Sequence, residues 1–137
     1  MGMQDAATRE LIVHTAKTKR STDFVALLET IDRRYGPQPG RTVKPPVLVL
    51  DNGPIHTSRL TTKALAARPW LTVEWLPKYA PELNEIELAW RDLKRHHLAH
   101  RTFVDAEHLD ATIHRSVADF NRERMKTQSC DSSRIAA

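Results

Sequence analysis

The chain has 137 residues, is 40% hydrophobic and carries a formal net charge of +4. This length and composition predict one globular domain around a single core, and the net charge permits a polyanionic partner such as nucleic acid. The single cysteine excludes an internal disulfide and argues against a cysteine-based zinc site.

No apolar run approaches the roughly 20 residues of a membrane helix, which predicts a protein without membrane contacts. The segment Met1–Asp5 has neither the basic nor the apolar region of a signal peptide. The expected location is therefore the cytoplasm.

The first part of the chain predicts strand, helix and strand. A turn at Gln4–Thr8 precedes a strand at Leu11–Thr15, and residues 1–3 are the end of an earlier strand. Ser21 or Thr22 is expected to cap the following helix, which Gly36 ends before a loop to Pro46. Its apolar positions follow helical spacing: Phe24, Leu27, Leu28, Ile31 and Tyr35. The continuous apolar run Val47–Leu50 predicts a strand covered on both faces.

The second part predicts helix, strand and two further helices. The expected helices are Ser58–Arg68, a helix capped by Asn84 that runs to about Leu98, and Phe103 to about Arg124. The strand is Leu71–Leu76, with Leu71, Val73 and Trp75 on one face, and a loop follows at Pro77–Leu83. The inward positions of the last two helices are Ile86, Trp90, Leu93, Leu109, Ile113, Val117 and Phe120.

This alternation predicts an α/β domain with a partly parallel sheet and C-terminal helices. We assign residues 1–125 to the domain. Residues 126–137 are assigned to a polar C-terminal tail that frays.

Asp51 lies at the carboxyl end of the predicted strand Val47–Leu50, where open α/β sheets bind ligands. An Asp in this position is also a common turn residue or helix cap. Its neighbours favour a functional interpretation. Asn52 offers an amide, and His56 can reach back to Asp51 as a hydrogen-bond donor.

Glu87 is a second candidate carboxylate, in the first turn of the predicted helix after Asn84. Such a Glu also favours the helix dipole without any function. Glu82 and Glu85 are competitors, but Glu87 borders the apolar stripe while Glu85 is expected to be exposed. Paired carboxylates suit Mg²⁺, so Asp51 and Glu87 are predicted to converge to within about 4–8 Å at a metal site.

Two other arrangements are weaker. His96 and His100 have metal-ligand spacing on a helix, but no third ligand is evident. Ser58, His56 and Asp51 contain the residue types of a catalytic triad, but the serine lacks the glycines of a nucleophile elbow.

Two basic clusters flank the elements that carry the acids. They are candidates for phosphate contacts, while the alternative is that they only solvate the surface. The first cluster is Lys17, Lys19 and Arg20, and the second contains Arg91, Lys94 and Arg95.

The segments Val47–Asn52 with His56, and Leu76–Glu87 with Trp90, resemble the C-terminal half of a DDE transposase. The similarity is to the mariner-like superfamily and its bacterial insertion-sequence relatives. In that family a strand ends in Asp-Asn with a following His. The last acid belongs to a Pro-Tyr-Ser-Pro-x-Leu-Asn-Pro-Ile-Glu-x-x-Trp segment. Ala80 and Glu85 depart from this pattern, but neither position is that of an acidic ligand.

The resemblance implies a ribonuclease-H-like fold whose three acids hold two Mg²⁺ or Mn²⁺ ions for cleavage and transfer of DNA strands. Asp51 becomes the second acid and Glu87 the third, supported by Asn52, His56 and Asn84 around them. DNA would be the substrate, in the bacterial cytoplasm at the nucleoid.

The first acid of the family, on the central first strand, has no counterpart at the expected distance before Leu11. The expectation is a truncated domain that is inactive alone, with an apolar strand edge left open. An N-terminal half from another reading frame, or a homodimer, are the implied partners. The alternative is a non-catalytic remnant that binds DNA or a transposase subunit; an unrelated regulatory α/β domain is a further alternative.

Overall fold

The computed structural model describes residues 1–40, 46–78 and 83–134, with side chains up to Lys126. In chain order the strands are β1 (Gly2–Gln4), β2 (Leu11–Val13), β3 (Val47–Leu50) and β4 (Thr72–Trp75). The α-helices are α1 (Ser21–Tyr35), α2 (Arg59–Ala66), α3 (Glu85–Leu93) and α4 (Ala106–Arg134), and a π-helical turn at Lys94–Leu98 follows α3. The α/β class predicted from the sequence is confirmed.

The chain forms two compact units. The first contains Met1 and Ala16–Asn84, and the second contains Gly2–Thr15 and Glu85–Ala137. Each has its own two-stranded sheet, β3 with β4 in the first and β1 with β2 in the second.

In the first unit, α1 buries the predicted apolar face, because Phe24, Leu27, Leu28 and Ile31 are all at most 3% exposed. The predicted cap is wrong. Ser21 is the first helical residue, and the Asp23 carboxylate satisfies the helix start by accepting a 2.8 Å bond from the Arg20 amide. Gly36 ends the helix as predicted, and a Cβ there would collide with the Asp32 carbonyl.

Strands β3 and β4 pair in parallel, with Val47 opposite Thr72 and Leu50 opposite Trp75. The prediction that β3 is covered on both faces is wrong: Val47 is 57% and Val49 54% exposed, while Leu50 is buried. Trp75 of β4 is also exposed, at 44%. Among the described strands β3 pairs with β4 alone, so an apolar run that is normal inside a wider sheet here faces solvent.

Helix α2 begins after its cap Ser58, whose hydroxyl accepts from the Thr61 amide at 3.2 Å. It ends at Ala66, earlier than predicted. Just beyond it, Arg68 binds Asp32 of α1 through paired hydrogen bonds of 2.7 and 2.5 Å. This planar two-point pairing ties the end of α2 to α1.

In the second unit, β1 and β2 form an antiparallel hairpin around the predicted turn, where the Asp5 carboxylate accepts from the amides of Ala7 and Thr8. Gln4 belongs to β1 instead of the turn, and β2 ends at Val13, short of the predicted Thr15.

The core of the second unit joins the hairpin to α3 and α4. Its buried residues are Leu11, Ala89, Leu93, Val117 and Phe120, with Ile86, Trp90 and Ile113 packed against them. The inward positions predicted for α3 are therefore confirmed. The inward position predicted for Leu109 is wrong, because this residue of the first turn of α4 is 38% exposed.

Asn121 of α4 attaches that helix to β2. Its side-chain oxygen accepts from the Leu11 amide and its nitrogen donates to the Leu11 carbonyl, each at 2.8 Å. A side-chain amide thus occupies the place of a neighbouring strand at this position of β2, and it satisfies backbone groups of a residue that is 1% exposed.

Other boundaries differ at the C-terminal end. The helix predicted to reach Leu98 does so, but its last turn is π-helical, and His97 in that turn contacts the ring of Phe120. His100 lies beyond the turn with a positive φ of 62°, so the predicted helical spacing of His96 and His100 is wrong. Helix α4 continues to Arg134, past the predicted end at Arg124 and into the segment expected to fray.

Parts of the predicted loops, at residues 41–45 and 79–82, lie outside the described residues, as does Glu82. No helix among the described residues combines the length and apolar character that a membrane span requires.

We expect Asn121→Ala to lower the free energy of unfolding by about 1–3 kcal/mol, because the buried Leu11 amide and carbonyl both lose their partner. Urea denaturation measures this loss. The control Arg122→Ala removes only an exposed ion pair with Asp119 on the same helix, worth about 0.5 kcal/mol or less. Equal losses in the two variants would contradict this role of Asn121.

Candidate functional site

The residues around Asp51 form a tight loop at the carboxyl end of β3. The Asp51 oxygen Oδ1 accepts from the Gly53 amide at 2.8 Å, and the Gly53 carbonyl in turn accepts from the His56 amide at 2.9 Å. The side chain of Asp51 is 50% exposed, and its other oxygen, Oδ2, makes no hydrogen bond to a described residue. This carboxylate is therefore held on one side and open on the other.

Asn52 ties this loop to the neighbouring strand. Its side-chain nitrogen donates to the Leu76 carbonyl at 2.6 Å, while the Leu76 amide donates to the Leu50 carbonyl at 2.8 Å. The parallel pairing of β3 with β4 is thus extended by one side-chain bond beyond the strand ends, which fixes where the Asp51 backbone leaves the sheet.

His56 lies beside the carboxylate, with Nε2 3.5 Å from Asp51 Oδ1. Its ring meets Phe24 of α1 edge-on, with centroids 4.5 Å apart, and Nδ1 is buried without a hydrogen-bond partner among the described residues. Burial lowers the pKa of His56, opposed by the Asp51 carboxylate and reinforced by Lys19. These surroundings favour the neutral imidazole.

Ser58 is occupied as the cap of α2, because its hydroxyl bonds to the amide and the hydroxyl of Thr61. These contacts account for the position of the Ser58 hydroxyl.

Glu87 lies in the first turn of α3 in the second unit, exposed and without a hydrogen bond or ion pair to any described residue. Its competitor Glu85 is also exposed, as expected, and is engaged by Arg9 at 2.7 Å. Asn84 directly precedes α3 and is half-buried. Of Glu85 and Glu87, Glu87 is thus the one whose carboxylate has no such contact with a described residue.

The structure gathers Asp51, Asn52 and His56 in the first unit, whereas Asn84 and Glu87 lie at the start of α3. Asp51 and Glu87 belong to different units, so their convergence stays a prediction. Within the described ranges no group of three or more His, Cys, Asp or Glu side chains is placed to hold a metal ion.

The predicted basic clusters are exposed. Lys17, Lys19 and Arg20 occupy the segment between β2 and α1, in the first unit. In the second unit, Arg91 lies in the last turn of α3, and Lys94 and Arg95 begin the π turn. Exposure makes each side chain accessible to a phosphate but does not by itself distinguish binding from solvation.

Thr61 is a polar residue of this region that the sequence did not indicate. It is completely buried, and its hydroxyl donates to the Ile55 carbonyl at 2.6 Å. A threonine in the first turn of a helix carries no sequence signal of such a contact, because the carbonyl belongs to a loop outside the helix.

Matches with known proteins include a family model, a curated relative and a solved structure. The family model described as DDE superfamily endonuclease matches residues 1–110. The Shigella sonnei "Insertion element IS630 uncharacterized 39 kDa protein" is 34% identical over 76 residues, which are 56% of this chain and 21% of the relative.

The third match is a chain in the cryo-EM structure of the simian T-cell lymphotropic virus intasome in complex with PP2A regulatory subunit B56 gamma. It aligns with a TM-score of 0.56 and 15% identity, over 82% of this chain and 39% of that one. The similarity shows a shared fold. The chain spans about a fifth of the curated relative's length and about two-fifths of the structural neighbour's.

We expect Asn52→Ala to speed hydrogen exchange of the Leu76 amide and to lower the free energy of unfolding by up to about 1 kcal/mol, because the Leu76 carbonyl loses its partner. Exchange measured by NMR tests this. Thr57→Ala is the control, since Thr57 bonds only within its own loop, to the Gly53 carbonyl. An unchanged Leu76 amide in Asn52→Ala would show that Asn52 does not tie the loop to β4.

Proposed function

Because the chain belongs to the DDE superfamily endonucleases, we propose that it is part of a ribonuclease-H-like transposase domain that cleaves and transfers DNA strands. The observation that carries the proposal is the Asp51 carboxylate at the end of β3, held through Oδ1 and open at Oδ2. A strand end in an α/β protein is the expected place for a ligand-binding carboxylate.

In this proposal Asp51 and Glu87 are the second and third acids of the family's metal site. Two Mg²⁺ or Mn²⁺ ions would be held there, and oxygen donors such as the open Asp51 carboxylate fit these hard cations. Bound metal would supply charge stabilisation for the attacking and leaving oxygens of a phosphodiester. The Gly53 amide and His56 restrain Asp51, Asn52 restrains the loop, and Asn84 precedes the turn that carries Glu87.

The first acid would come from a strand that pairs with the open edge of β3. Among the described strands β3 pairs with β4 alone, which leaves its other edge open, and Val47 and Val49 are each more than half exposed. The strand that carries the first acid would belong to a longer protein, to an N-terminal half translated from another reading frame, or to a second copy in a homodimer. The matched relative and the structural neighbour are both much longer than this chain.

In a second candidate function, the chain uses the exposed basic clusters to bind DNA or a transposase subunit without catalysis. The proposed location in either case is the bacterial cytoplasm, at the nucleoid.

We expect the isolated 137-residue chain to nick supercoiled plasmid weakly or not at all with Mg²⁺ or Mn²⁺, because two acids position the reacting oxygens incompletely. Gel assays with the Asp51→Asn variant as the matched control measure this. Robust Mg²⁺-dependent nicking that Asp51→Asn abolishes would contradict the need for a further acid.

Duplex binding is expected to be weak, independent of sequence and strongly dependent on salt, with a log–log slope of about −0.9 per phosphate neutralised. Replacing Lys94 and Arg95 with Ala should flatten that slope by roughly one to two units. Fluorescence anisotropy across a salt series measures it.

The control for this measurement replaces Arg115 and Arg122, exposed on α4, with Ala and removes the same charge. An equal change in the two double variants, or no change in the first, would indicate that Lys94 and Arg95 only solvate the helix.

A further inference from the structure

Thr61 contacts the loop between Asp51 and α2 at one backbone group. Its side chain is completely buried, and Oγ1 donates to the Ile55 carbonyl at 2.6 Å. The hydroxyl is oriented by Ser58, whose own hydroxyl donates to Thr61 Oγ1 at 3.1 Å. Ser21 also reaches the Ile55 carbonyl, but only at 3.5 Å. Thr61 is therefore the closer of the two donors to this carbonyl.

The bond from Thr61 fixes the peptide group that leads into His56. The carbonyl of that group belongs to Ile55, and its amide belongs to His56 and donates to the Gly53 carbonyl at 2.9 Å. A peptide group is a rigid plane, so hydrogen bonds at both of its ends leave it little freedom. The direction in which the His56 side chain leaves the backbone is then set.

The His56 imidazole lies between Asp51 and Phe24. Nε2 is 3.5 Å from Asp51 Oδ1, and the ring is edge-on to Phe24 at 4.5 Å. The Gly53 amide donates to the same Asp51 oxygen. A shift of His56 would therefore remove one of the two contacts that restrain this carboxylate.

We propose that Thr61 is a positioning residue, which holds His56 against the Asp51 carboxylate through the Ile55–His56 peptide group. The positioning of His56 stands on these contacts alone. Its consequence for metal binding rests on the proposed function, in which Asp51 is a ligand. Partners of metal ligands commonly set ligand orientation and affinity, and Thr61 would act one step further out.

The neighbouring Thr62 provides a matched control on the same turn of α2. Its hydroxyl donates to the Ser58 carbonyl at 3.0 Å, and the side chain is exposed. It makes a bond local to the helix start and none to Ile55. A threonine that serves only the helix start would behave like Thr62 in the measurements that follow.

The experiment compares four substitutions in the full chain by NMR: Thr61→Val, Thr61→Ala, Thr61→Ser and Thr62→Val. One readout is the set of His56 ring resonances, which the Phe24 ring displaces. The second is broadening of the Gly53 amide during titration with Mn²⁺, the probe ion. Thermal unfolding of each variant establishes that it is folded.

We expect Thr61→Ala and Thr61→Val to shift the His56 resonances and to raise the Mn²⁺ midpoint at Gly53 about threefold or more, the effect of losing one hydrogen bond. Thr61→Ser and Thr62→Val should retain the native values. Thr61→Ser and Thr61→Ala differ only in the hydroxyl. Their comparison therefore shows whether the hydroxyl positions His56, even if Thr61→Val does not fold.

The proposal is overturned if folded Thr61→Ala and Thr61→Ser behave alike in both readouts. Asp51→Asn separates this result from a failure of the proposed function. If that variant binds Mn²⁺ like the native chain, Asp51 is not the ligand, and the His56 resonances still decide whether Thr61 positions the imidazole.

Discussion

The parallel pairing of β3 with β4 is the constraint from which the geometry around Asp51 follows. The ladder ends with the Leu76 amide on the Leu50 carbonyl, and Asn52 adds a bond from the loop back to Leu76. The chain therefore leaves β3 in a fixed direction, and Asp51 is the first residue beyond it. A two-stranded sheet alone is only marginally stable, so the packing of α1 and the paired bonds between Arg68 and Asp32 support this unit.

The second unit depends on a different contact. Asn121 satisfies the backbone of Leu11 from a helix, which closes part of one strand edge with a side chain. Strand β3 has no such closure among the described residues, and it bears Val47 and Val49 on an exposed face. In the proposed function, a strand from another segment supplies this closure.

Periodicity predicted the helices well, because burial of Phe24, Leu27, Leu28 and Ile31 follows directly from helical spacing. The pattern failed for β3. A continuous apolar run shows that both faces of a strand can be buried, but it does not show whether another element covers them. The predicted cap of α1 is wrong because the helix begins at Ser21, with Arg20 at the cap position and the Asp23 carboxylate accepting from the Arg20 amide. The π turn and the α4 extension to Arg134 have no comparable signal.

For the site, the sequence placed Asp51 at a strand end and Glu87 in a first helical turn, as the structure has them. Those positions follow from local pattern. Thr61 was missed because its partner, the Ile55 carbonyl, depends on how the loop folds back over α2. The distance between the two carboxylates depends on the arrangement of the two units, which local pattern does not determine.

The most direct test of the account is whether Asp51 and Glu87 bind the same ion. Amide signals of Gly53 and Glu87 should broaden together during Mn²⁺ titration, with one midpoint. Asp51→Asn should then raise the midpoint observed at Glu87, and Glu87→Gln the midpoint observed at Gly53. Independent midpoints, each insensitive to the other substitution, would contradict a shared metal site.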